Sequence, residues 1–472
     1  MTERFDLIVI GAGSAGLTAA GGAAMFGLKV ALIEAGEMGG ECLNTGCVPS
    51  KALLAAARRA HTARDSARFG VSLPPPAIDW AGVRAHVDGA IATIAPHDSQ
   101  DRFEKMGIAV IRSHARFLDD RTLLAGNRYL TAPRIVIATG SKPAVPPIDG
   151  LEGVPYLTNE TLFGLDLLPS HLVIVGGGAI GAEMAQAFRR LGSDVTVIEP
   201  HAVMARDDSE AVELIVAGLR EEGVAFEVER EATKVRADGP GVAVTLDDGR
   251  TVTGSHLLVA TGRRANIDDL DLDAAGVKAG DDGIVVDARR RTINTRIYAI
   301  GDCRAGPRFT HVAGYEGSLV ALDVALGWPG KVDWRALPHV TYTEPELAQI
   351  GMTEAEAREK HGEIEVTRQD FTGNDRAVTE GDTRGFIKLV RRRGKVIGVT
   401  IVGAGAGDLL LPWAQIITGK ASTFALGAAI VAYPTRSEIS KAAAFAAHES
   451  TVFGTWPKRW ASTLAKTRRW LA

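Results

Sequence analysis

The feature that most constrains the fold is a glycine-rich turn that occurs twice, each time between an apolar strand and a helix. In the first copy Gly11, Gly13 and Gly16 follow the apolar residues 6–10, and Glu34 ends the next apolar strand. This order of strand, glycine turn, helix, strand and acid is the dinucleotide-binding fingerprint. The glycines form a tight turn, admit a pyrophosphate and permit close helix packing, and the acid binds ribose hydroxyls.

The second copy has the same spacing from its first glycine to its acid as the first copy. Its members are Gly176, Gly178, Gly181 and Glu199. A repeat at the scale of a domain indicates two nucleotide-binding folds, and hence two cofactors, one held and one exchanged. The alternative is one working fold and one decayed copy, but both copies keep their glycines and their acid.

A shorter motif is repeated as well. The run Ile-Ala-Thr-Gly at 137–140 recurs as Val-Ala-Thr-Gly at 259–262. We therefore count Thr139, Gly140 and Gly262 among the cofactor-binding residues.

Two of the three cysteines, Cys42 and Cys47, lie close together just after the first fingerprint. Sparse cysteines beside a cofactor signature indicate redox chemistry rather than a disulfide framework, although two merely buried cysteines are the alternative. Residues five apart in a regular helix are separated by more than the ~7 Å that a disulfide spans, so we expect a distortion at Gly46. A helix should begin near Pro49, with Cys47 just before it, where the helix dipole lowers the pKa of a thiol.

Composition excludes several classes of protein. The chain has 472 residues, is 46% hydrophobic and 23% charged, and carries a net charge of −4, which gives no sign of a nucleic-acid partner. No apolar run is long enough to span a bilayer, and the first residues enter a strand without a signal-peptide pattern. We therefore expect a cytoplasmic enzyme, and we assign no residue to a bound metal.

The run from Gly40 through Lys51, which contains Cys-Leu-Asn-Thr-Gly-Cys-Val-Pro-Ser-Lys, resembles the redox-active disulfide of the flavoprotein disulfide reductases. That family includes dihydrolipoamide dehydrogenase, glutathione reductase and mercuric reductase. The resemblance implies that Cys42 exchanges with substrate, that Cys47 contacts the flavin and that Lys51 lies beside the flavin ring. It also implies that Glu183 pairs with Lys51, although an ordinary ion pair on a helix face is equally compatible with the sequence.

Two later motifs extend the resemblance. Residues 292–302 resemble the second FAD motif of the family, which implies that Asp302 binds the ribityl chain and leaves Cys303 a structural role. Residues 310–317 resemble the helix start that faces the flavin, and this places His311 at the cofactor, with its side chain expected to cap or pack.

The resemblance sets the expected architecture. We predict an α/β chain with two doubly wound Rossmann-like nucleotide-binding domains and a C-terminal α+β dimerisation domain. Residues 1–147 would bind FAD and carry the disulfide, 148–267 would bind NAD(P), 268–335 would complete the FAD site, and 336–472 would form the interface of a homodimer. Glu199 favours NAD over NADP because a carboxylate there repels a 2′-phosphate, although the nearby His201 and Arg206 leave NADP open.

The C-terminal region departs from the family at one position. Thiol-substrate members carry His-Pro-Thr-x-Ser-Glu there, whereas this chain has Tyr433 in place of the histidine and keeps the glutamate as Glu438. A tyrosine is a poor base at neutral pH. Mercuric reductases add a vicinal cysteine pair near their C-terminus, and the third cysteine here is Cys303 instead.

The substrate therefore stays open among three hypotheses. The first is a reductase of the mercuric reductase type, with a metal or disulfide acceptor near Tyr433 and Glu438. The second is a dihydrolipoamide dehydrogenase that oxidises a dithiol with NAD. The third is a flavoprotein redox sensor or partner-binding subunit.

The last residues, 456–472, are basic and rich in tryptophan, and Trp460, Leu464 and Leu471 share one face of a predicted helix. Such a helix could contact an anionic membrane surface. The sequence alone favours the other interpretation, a helix packed on the dimer.

Overall fold

The computed structural model describes residues 2–471, and Met1 and Ala472, which belong to predicted domains, lie outside the described residues. Within that range the chain divides into two compact units. The first comprises the residues up to Ala202 together with Glu222–Val332, and the second comprises Val203–Glu221 together with the residues from Asp333 onward. The bounds of the four predicted domains stay a prediction.

The first unit contains a parallel sheet built around the strand Leu7–Ile10, in which every residue is buried. Continuous apolar strands of this kind are typical of parallel sheets that are covered on both faces. The strand order is Ile297–Ala299, Arg134–Ile137, Leu7–Ile10, Val30–Glu34, Ala109–Arg112. The helix Ser14–Met25 follows the first glycine turn and packs against the helix Thr310–Leu326.

A second parallel sheet in the same unit repeats this arrangement, with the order Ala225–Val228, Asp194–Glu199, His171–Val175, His256–Val259. The registers agree as well. Ile10 pairs with Ile33 and Ile137 in the first sheet, whereas Val175 pairs with Ile198 and Val259 in the second. The helix Ala179–Leu191 follows the second glycine turn. The predicted pair of Rossmann-like folds is confirmed.

The other strands of this unit form smaller sheets. These are Thr2–Arg4 with Arg128–Thr131, Thr122–Ala125 and Ala115–Phe117, then Ala232–Asp238 with Gly241–Leu246 and Thr251–Gly254, then Ser141–Pro143 with Arg263–Ala265, and Ala279–Gly280 with Gly283–Ile284. The remaining helices are Gly40–Asn44, Cys47–Asp65, Trp80–Ile94, Gln100–Lys105 and Asn159–Leu162, with 3₁₀ turns at Ser66–Phe69, Ala95–Asp98, Leu151–Gly153 and Gly301–Cys303.

The second unit contains an antiparallel sheet, with the order Pro338–Thr341, Glu346–Gly351, Lys395–Gly403, Phe386–Arg392, Glu365–Asp370. Its core is apolar and includes the fully buried Trp413. The helices are Ser209–Glu221, Glu354–His361, Asp375–Thr379, Leu411–Ile417, Thr423–Gly427, Glu438–Ala446, Glu449–Val452 and Thr455–Leu471, with 3₁₀ turns at Trp334–Ala336, Phe371–Gly373 and Gly407–Leu409. Across residues 2–471, none of the helices is both long enough and apolar enough to cross a bilayer.

A buried lysine ties the helix Ser209–Glu221 to this second unit. The ammonium nitrogen of Lys388 lies 2.9 Å from Oδ1 of Asp208, 2.8 Å from Oε2 of Glu210 and 3.4 Å from Oε2 of Glu354. Burying a lysine is costly unless the charge is paired, and these three carboxylates supply the pairing.

Candidate active site

The two cysteines lie on either side of a break between two helices. Cys42 belongs to the helix Gly40–Asn44, and Cys47 is the first residue of the helix Cys47–Asp65. The break falls at Gly46, where the sequence predicted a distortion. A Cβ atom added there would stand 2.9 Å from the carbonyl oxygen of Glu41, so a larger residue would displace the turn. Pro49 lies in the first turn of the second helix, as predicted, but Gly46 is the N-cap, so Cys47 is the first residue of the helix rather than the residue before it.

The two thiols are free and share a hydrogen bond. The bond that Cys42 donates lowers the pKa of Cys47 to about 6. The same bond, together with burial, raises the pKa of Cys42 far above its ordinary value. The hydroxyl of Thr310, 3.3 Å from Sγ of Cys47, also favours the thiolate. At about pH 7 the pair therefore holds its proton on Cys42 and its negative charge on Cys47.

An ion pair lies one helical turn beyond Cys47. Nζ of Lys51 is 2.7 Å from Oε2 of Glu183, and this contact joins the helix Cys47–Asp65 to the helix Ala179–Leu191. The carboxylate is almost fully buried, whereas the ammonium group is partly exposed. The structure brings the two predicted partners together, and their role toward a flavin stays a prediction.

Each acid of the repeated fingerprint holds its own glycine turn. Glu34 accepts a hydrogen bond from the backbone N–H of Ala12 at 2.5 Å and another from Gly36 at 2.6 Å. In the second copy, Glu199 likewise accepts from Gly177 at 2.7 Å and from His201 at 2.9 Å. The carboxylates thus fix the shape of the turns, and the predicted contacts with ribose stay a prediction.

The first glycines of the two turns have left-handed backbone conformations, with φ of +103° at Gly11 and +111° at Gly176. A Cβ atom at either position would collide with the carbonyl group of the alanine in the Ala-Thr-Gly run of the same copy. Gly16 and Gly181 pack against the carbonyl groups of these first glycines in the same way, and Gly13 and Gly178 begin the two helices as N-caps.

The turn that carries the cysteines lies against the first fingerprint. A Cβ atom added to Gly40 would stand 2.7 Å from Cα of Gly13, so the two backbones approach closely. The N–H of Gly39 donates to the carbonyl oxygen of Ala12 at 3.0 Å. A pyrophosphate bound at the first glycine turn would therefore lie beside the segment that leads to Cys42.

The two Ala-Thr-Gly runs differ in one hydrogen bond. Oγ1 of Thr139 is buried and has no hydrogen-bond partner in the part of the chain that the structure describes. Its equivalent in the second copy, Thr261, donates to the carbonyl oxygen of Ala144 at 2.7 Å. Buried polar atoms are nearly always paired, so the hydroxyl of Thr139 fits a ligand that supplies the partner. The glycines that end these runs, Gly140 and Gly262, have positive φ.

Asp302 lies in the 3₁₀ turn Gly301–Cys303, where its Oδ2 accepts from Oγ of Ser141 at 2.7 Å. The adjacent thiol of Cys303 is fully buried and donates to backbone carbonyl oxygens, and burial raises its pKa to about 12. Cys303 is therefore protonated and inert at neutral pH. His311, the second residue of its helix, stacks on the ring of Phe309 at 5.2 Å.

An ion pair that the sequence did not reveal adjoins the cysteines. The guanidinium of Arg263 binds both carboxylate oxygens of Glu41, the residue before Cys42, and donates to Oγ of Ser141 at 2.8 Å. Burial raises the pKa of Glu41 to about 7, although Arg263 opposes the shift. The sequence features that could have pointed to this ion pair are an arginine directly after the repeated Ala-Thr-Gly motif and a glutamate directly before Cys42.

The second unit holds the last two predicted site residues, Tyr433 and Glu438, and each has a hydrogen bond to another residue of that unit. The hydroxyl of Tyr433 donates to Oδ2 of Asp375 at 2.9 Å, and this bond raises the pKa of the phenol. Oε2 of Glu438 accepts from the backbone N–H of Thr435 at 3.2 Å. The carboxylate that is hydrogen-bonded to the tyrosine is thus Asp375, which the sequence does not reveal because it lies 58 residues away along the chain.

Comparison with known proteins places this geometry in a family. Residues 5–317 match the pyridine nucleotide-disulphide oxidoreductases, and residues 337–444 match the dimerisation domain of the same proteins. The chain belongs to the pyridine nucleotide-disulphide oxidoreductase family. Members are FAD-dependent oxidoreductases that use a pyridine nucleotide and a redox-active disulfide, as the sequence predicted.

Relatives in this family differ in their acceptors. The chain is 38% identical to a mercuric reductase of Streptomyces lividans, over 93% of this chain and 95% of the relative. It is 34% identical to a dihydrolipoyl dehydrogenase of Bacillus subtilis, over 92% and 96% of the two chains. Among solved structures, LpdA from Mycobacterium tuberculosis superposes with a TM-score of 0.86 at 29% identity, covering 94% of this chain and 99% of that one.

A further solved structure is the Cu(II) complex of RclA, an HOCl-induced flavoprotein disulfide reductase from Escherichia coli. Its TM-score is 0.84 at 27% identity, and the match covers 92% of this chain and 98% of that one.

Proposed function

We propose that this enzyme passes electrons from NADH through FAD and the Cys42–Cys47 disulfide to a metal ion or a disulfide, an acceptor of the mercuric reductase kind. The observation that carries the proposal is the unequal protonation of the two cysteines. A hydride brings two electrons and one proton, so reduction of the disulfide breaks the S–S bond and leaves one thiol and one thiolate. That is the state that the pKa shifts of Cys42 and Cys47 favour.

The residues around the first glycine turn fit FAD. Gly11 and Gly16 close the turn tightly, and Gly13 leaves space for the pyrophosphate. Asp302 is assigned to the ribityl chain, and the Thr139 hydroxyl, which has no partner among the described residues, is available to FAD. When bound, FAD supplies the two-electron relay between NADH and the disulfide. Glu199 in the second fold supports NAD over NADP, because it would accept hydrogen bonds from ribose hydroxyls.

Polar residues beside the cysteines stabilise the reduced state. Lys51 and Thr310 stabilise the thiolate of Cys47, and the protonated Cys42 is the thiol that meets the acceptor. The match to a dimerisation domain supports a homodimer, in which Tyr433 and Glu438 stay candidates for contact with the acceptor. We further propose that the enzyme works in the reducing cytoplasm, where an exposed dithiol can cycle.

The test is an anaerobic titration of the holoenzyme with NADH, in which the long-wavelength absorbance is recorded. We expect a thiolate-to-flavin charge-transfer band in the wild type and in Cys303→Ala, because Cys303 is buried and protonated. Cys47→Ser should lack the band while its flavin is still reduced. A Cys47→Ser enzyme that keeps the band would overturn the proposed route.

The dihydrolipoyl dehydrogenase relative supports a second candidate, the oxidation of a dithiol by NAD. Turnover of NAD with dihydrolipoamide at about 1–1000 per second would favour it. Tyr433→His should then raise the rate further, because an imidazole accepts a proton near neutral pH and a phenol does not. Negligible turnover, together with fast NADH oxidation in the presence of Hg²⁺, Cu²⁺ or a small disulfide, would support the first candidate.

A further inference from the structure

The helix Thr455–Leu471, here called the terminal helix, buries none of its residues in this chain. Its large apolar side chains are open to solvent, with Trp456 73% and Trp470 83% exposed. A single exposed apolar side chain is ordinary on a folded surface, but several of them together on one helix mark an interaction site. The terminal helix therefore presents a surface that requires a partner.

The apolar side chains of the terminal helix lie on one face. At 100° per residue they occupy an arc of about 120°. The arc consists of Trp456, Trp460, Leu464, Trp470 and Leu471. The rings of Trp456 and Trp460 stack with their centroids 6.2 Å apart and form a flat apolar surface.

Positive charge borders this face. The terminal helix contains five basic residues and no aspartate or glutamate: Lys458, Arg459, Lys466, Arg468 and Arg469. On the helical projection Arg459 and Lys466 lie along one edge of the apolar arc, and Arg468 lies along the other. The whole chain has a net charge of −4, so the rest of the molecule is acidic and the terminal helix is a local concentration of cations.

We propose that the terminal helix docks on the surface of a bilayer that contains anionic phospholipid. An apolar face with tryptophans and leucines and a border of lysine and arginine is the composition of helices that lie in the plane of a membrane interface. Tryptophan is enriched at that depth, and the basic side chains reach the phosphate groups. With its many charges the terminal helix does not span the bilayer.

Pairing with the same helix of a second copy fits this face less well. Packing two terminal helices about a symmetry axis would bring their cations together, because neither helix carries an acid. Lysine is also depleted in the cores of protein interfaces. An anionic bilayer instead satisfies both the apolar arc and its charged border.

The experiment is sedimentation of the holoenzyme with vesicles of phosphatidylcholine alone or mixed equally with phosphatidylglycerol. We expect binding to the mixed vesicles that falls sharply between about 50 mM and about 500 mM NaCl. Trp460→Ser/Trp470→Ser should weaken binding at least about tenfold. Arg468→Gln/Arg469→Gln should reduce both the affinity and its dependence on salt. Trp328→Ser, an equally exposed tryptophan elsewhere at 69%, is the matched control and should bind like the wild type.

Several outcomes would overturn the proposal. One is equal binding to both kinds of vesicle, or binding to neither. Another is vesicle binding by the Trp460→Ser/Trp470→Ser variant that is as tight as that of the wild type. A third is dissociation of a dimer by this variant in sedimentation velocity, which would assign the apolar face to a second copy. Binding to poly-glutamate without binding to vesicles would assign it to an acidic protein instead.

Discussion

Nζ of Lys51 lies 2.7 Å from the buried carboxylate of Glu183, one helical turn beyond Cys47. Residues four apart on a helix share a face, so the ammonium group of Lys51 is directed to the same side as the thiolate. The ammonium lowers the pKa of Cys47, whereas the carboxylate of Glu183 opposes it. The ion pair therefore adjusts the pKa of the Cys47 thiol electrostatically.

Replacing Lys51 tests this electrostatic relationship. Lys51→Met should raise the pKa of Cys47 by about 1 unit, because it removes a nearby cation, and Glu183→Gln should lower it. The measurement is the pH midpoint of iodoacetamide alkylation of Cys47 in the reduced enzyme, followed by mass spectrometry. Shifts in the same direction in both variants would contradict the relationship. Lys51→Met alone should cost about 3 kcal/mol of unfolding free energy, because it leaves the carboxylate of Glu183 buried without that cation. The double variant Lys51→Met/Glu183→Gln removes both charges and is therefore the control for this loss of stability.

The thiol of Cys42 should have a larger effect on Cys47 than Lys51 has. Cys42→Ala removes the hydrogen bond that contributes most to the low pKa, so the alkylation midpoint of Cys47 should rise by about 2 units. Alkylation requires the thiolate, so the variant should react more slowly at about pH 7 and regain its rate at higher pH. Cys42→Ser keeps a donor and should shift the midpoint less. An unchanged midpoint in Cys42→Ala would show that the bond does not set the pKa.

The Glu41–Arg263 pair should stabilise the fold in a pH-dependent manner. Arg263→Ala should lower the unfolding free energy by about 2–3 kcal/mol at about pH 8, because it leaves a charged carboxylate in a partly buried place. The pKa of Glu41 is raised from 4.5 to about 7. The contribution of this group to the unfolding free energy of the wild type is therefore fully present below about pH 4.5 and is lost as the pH rises toward 7. Glu41 is largely protonated at about pH 5.5, where the cost of Arg263→Ala should be smaller.

Urea unfolding at the two pH values measures this difference. The matched control is Lys234→Ala, whose ion pair with Asp149 is exposed and should contribute less than about 0.5 kcal/mol at either pH. An equal cost of Arg263→Ala at both pH values would contradict the assignment of the pKa shift to Glu41.

The two threonines of the Ala-Thr-Gly runs provide a matched pair. Thr139→Val removes a hydroxyl that has no partner among the described residues, so it should accelerate release of FAD from the holoenzyme several-fold. Thr261→Val breaks a bond to Ala144 and should instead cost about 1 kcal/mol of stability, with no change in FAD release. Flavin fluorescence follows the release, and thermal unfolding follows the stability. Release at the wild-type rate in Thr139→Val would remove this residue from the flavin site.

The sequence predicted the nucleotide folds well because their signals are local. A glycine turn between a buried strand and a helix has few structural solutions, and Gly11 and Gly176 adopt the backbone that such a turn requires. The contact of Lys51 with Glu183 was expected only because the family supplied it. Periodicity alone does not bring together two helices from different folds.

Other features were beyond prediction because they depend on tertiary packing. Arg263 reaches Glu41, and Asp375 reaches Tyr433, across long stretches of chain that carry no common pattern. Residues 80–105 form two α-helices rather than one, and the first begins at Trp80. It ends at Ile94 because Pro96 lacks the N–H that a helix interior needs, and Ser99 caps the short helix that follows.

The three carboxylates on Lys388 have a consequence for building chimeras. Two of them, Asp208 and Glu210, come from a segment that precedes the dimerisation match at 337–444 by more than a hundred residues. A graft that exchanged only residues 337–444 between relatives would transplant the lysine with Glu354 and leave its other two anions behind. The exchangeable module of this protein is therefore discontinuous in sequence, and recombination within the family has to carry Val203–Glu221 along with the C-terminal unit.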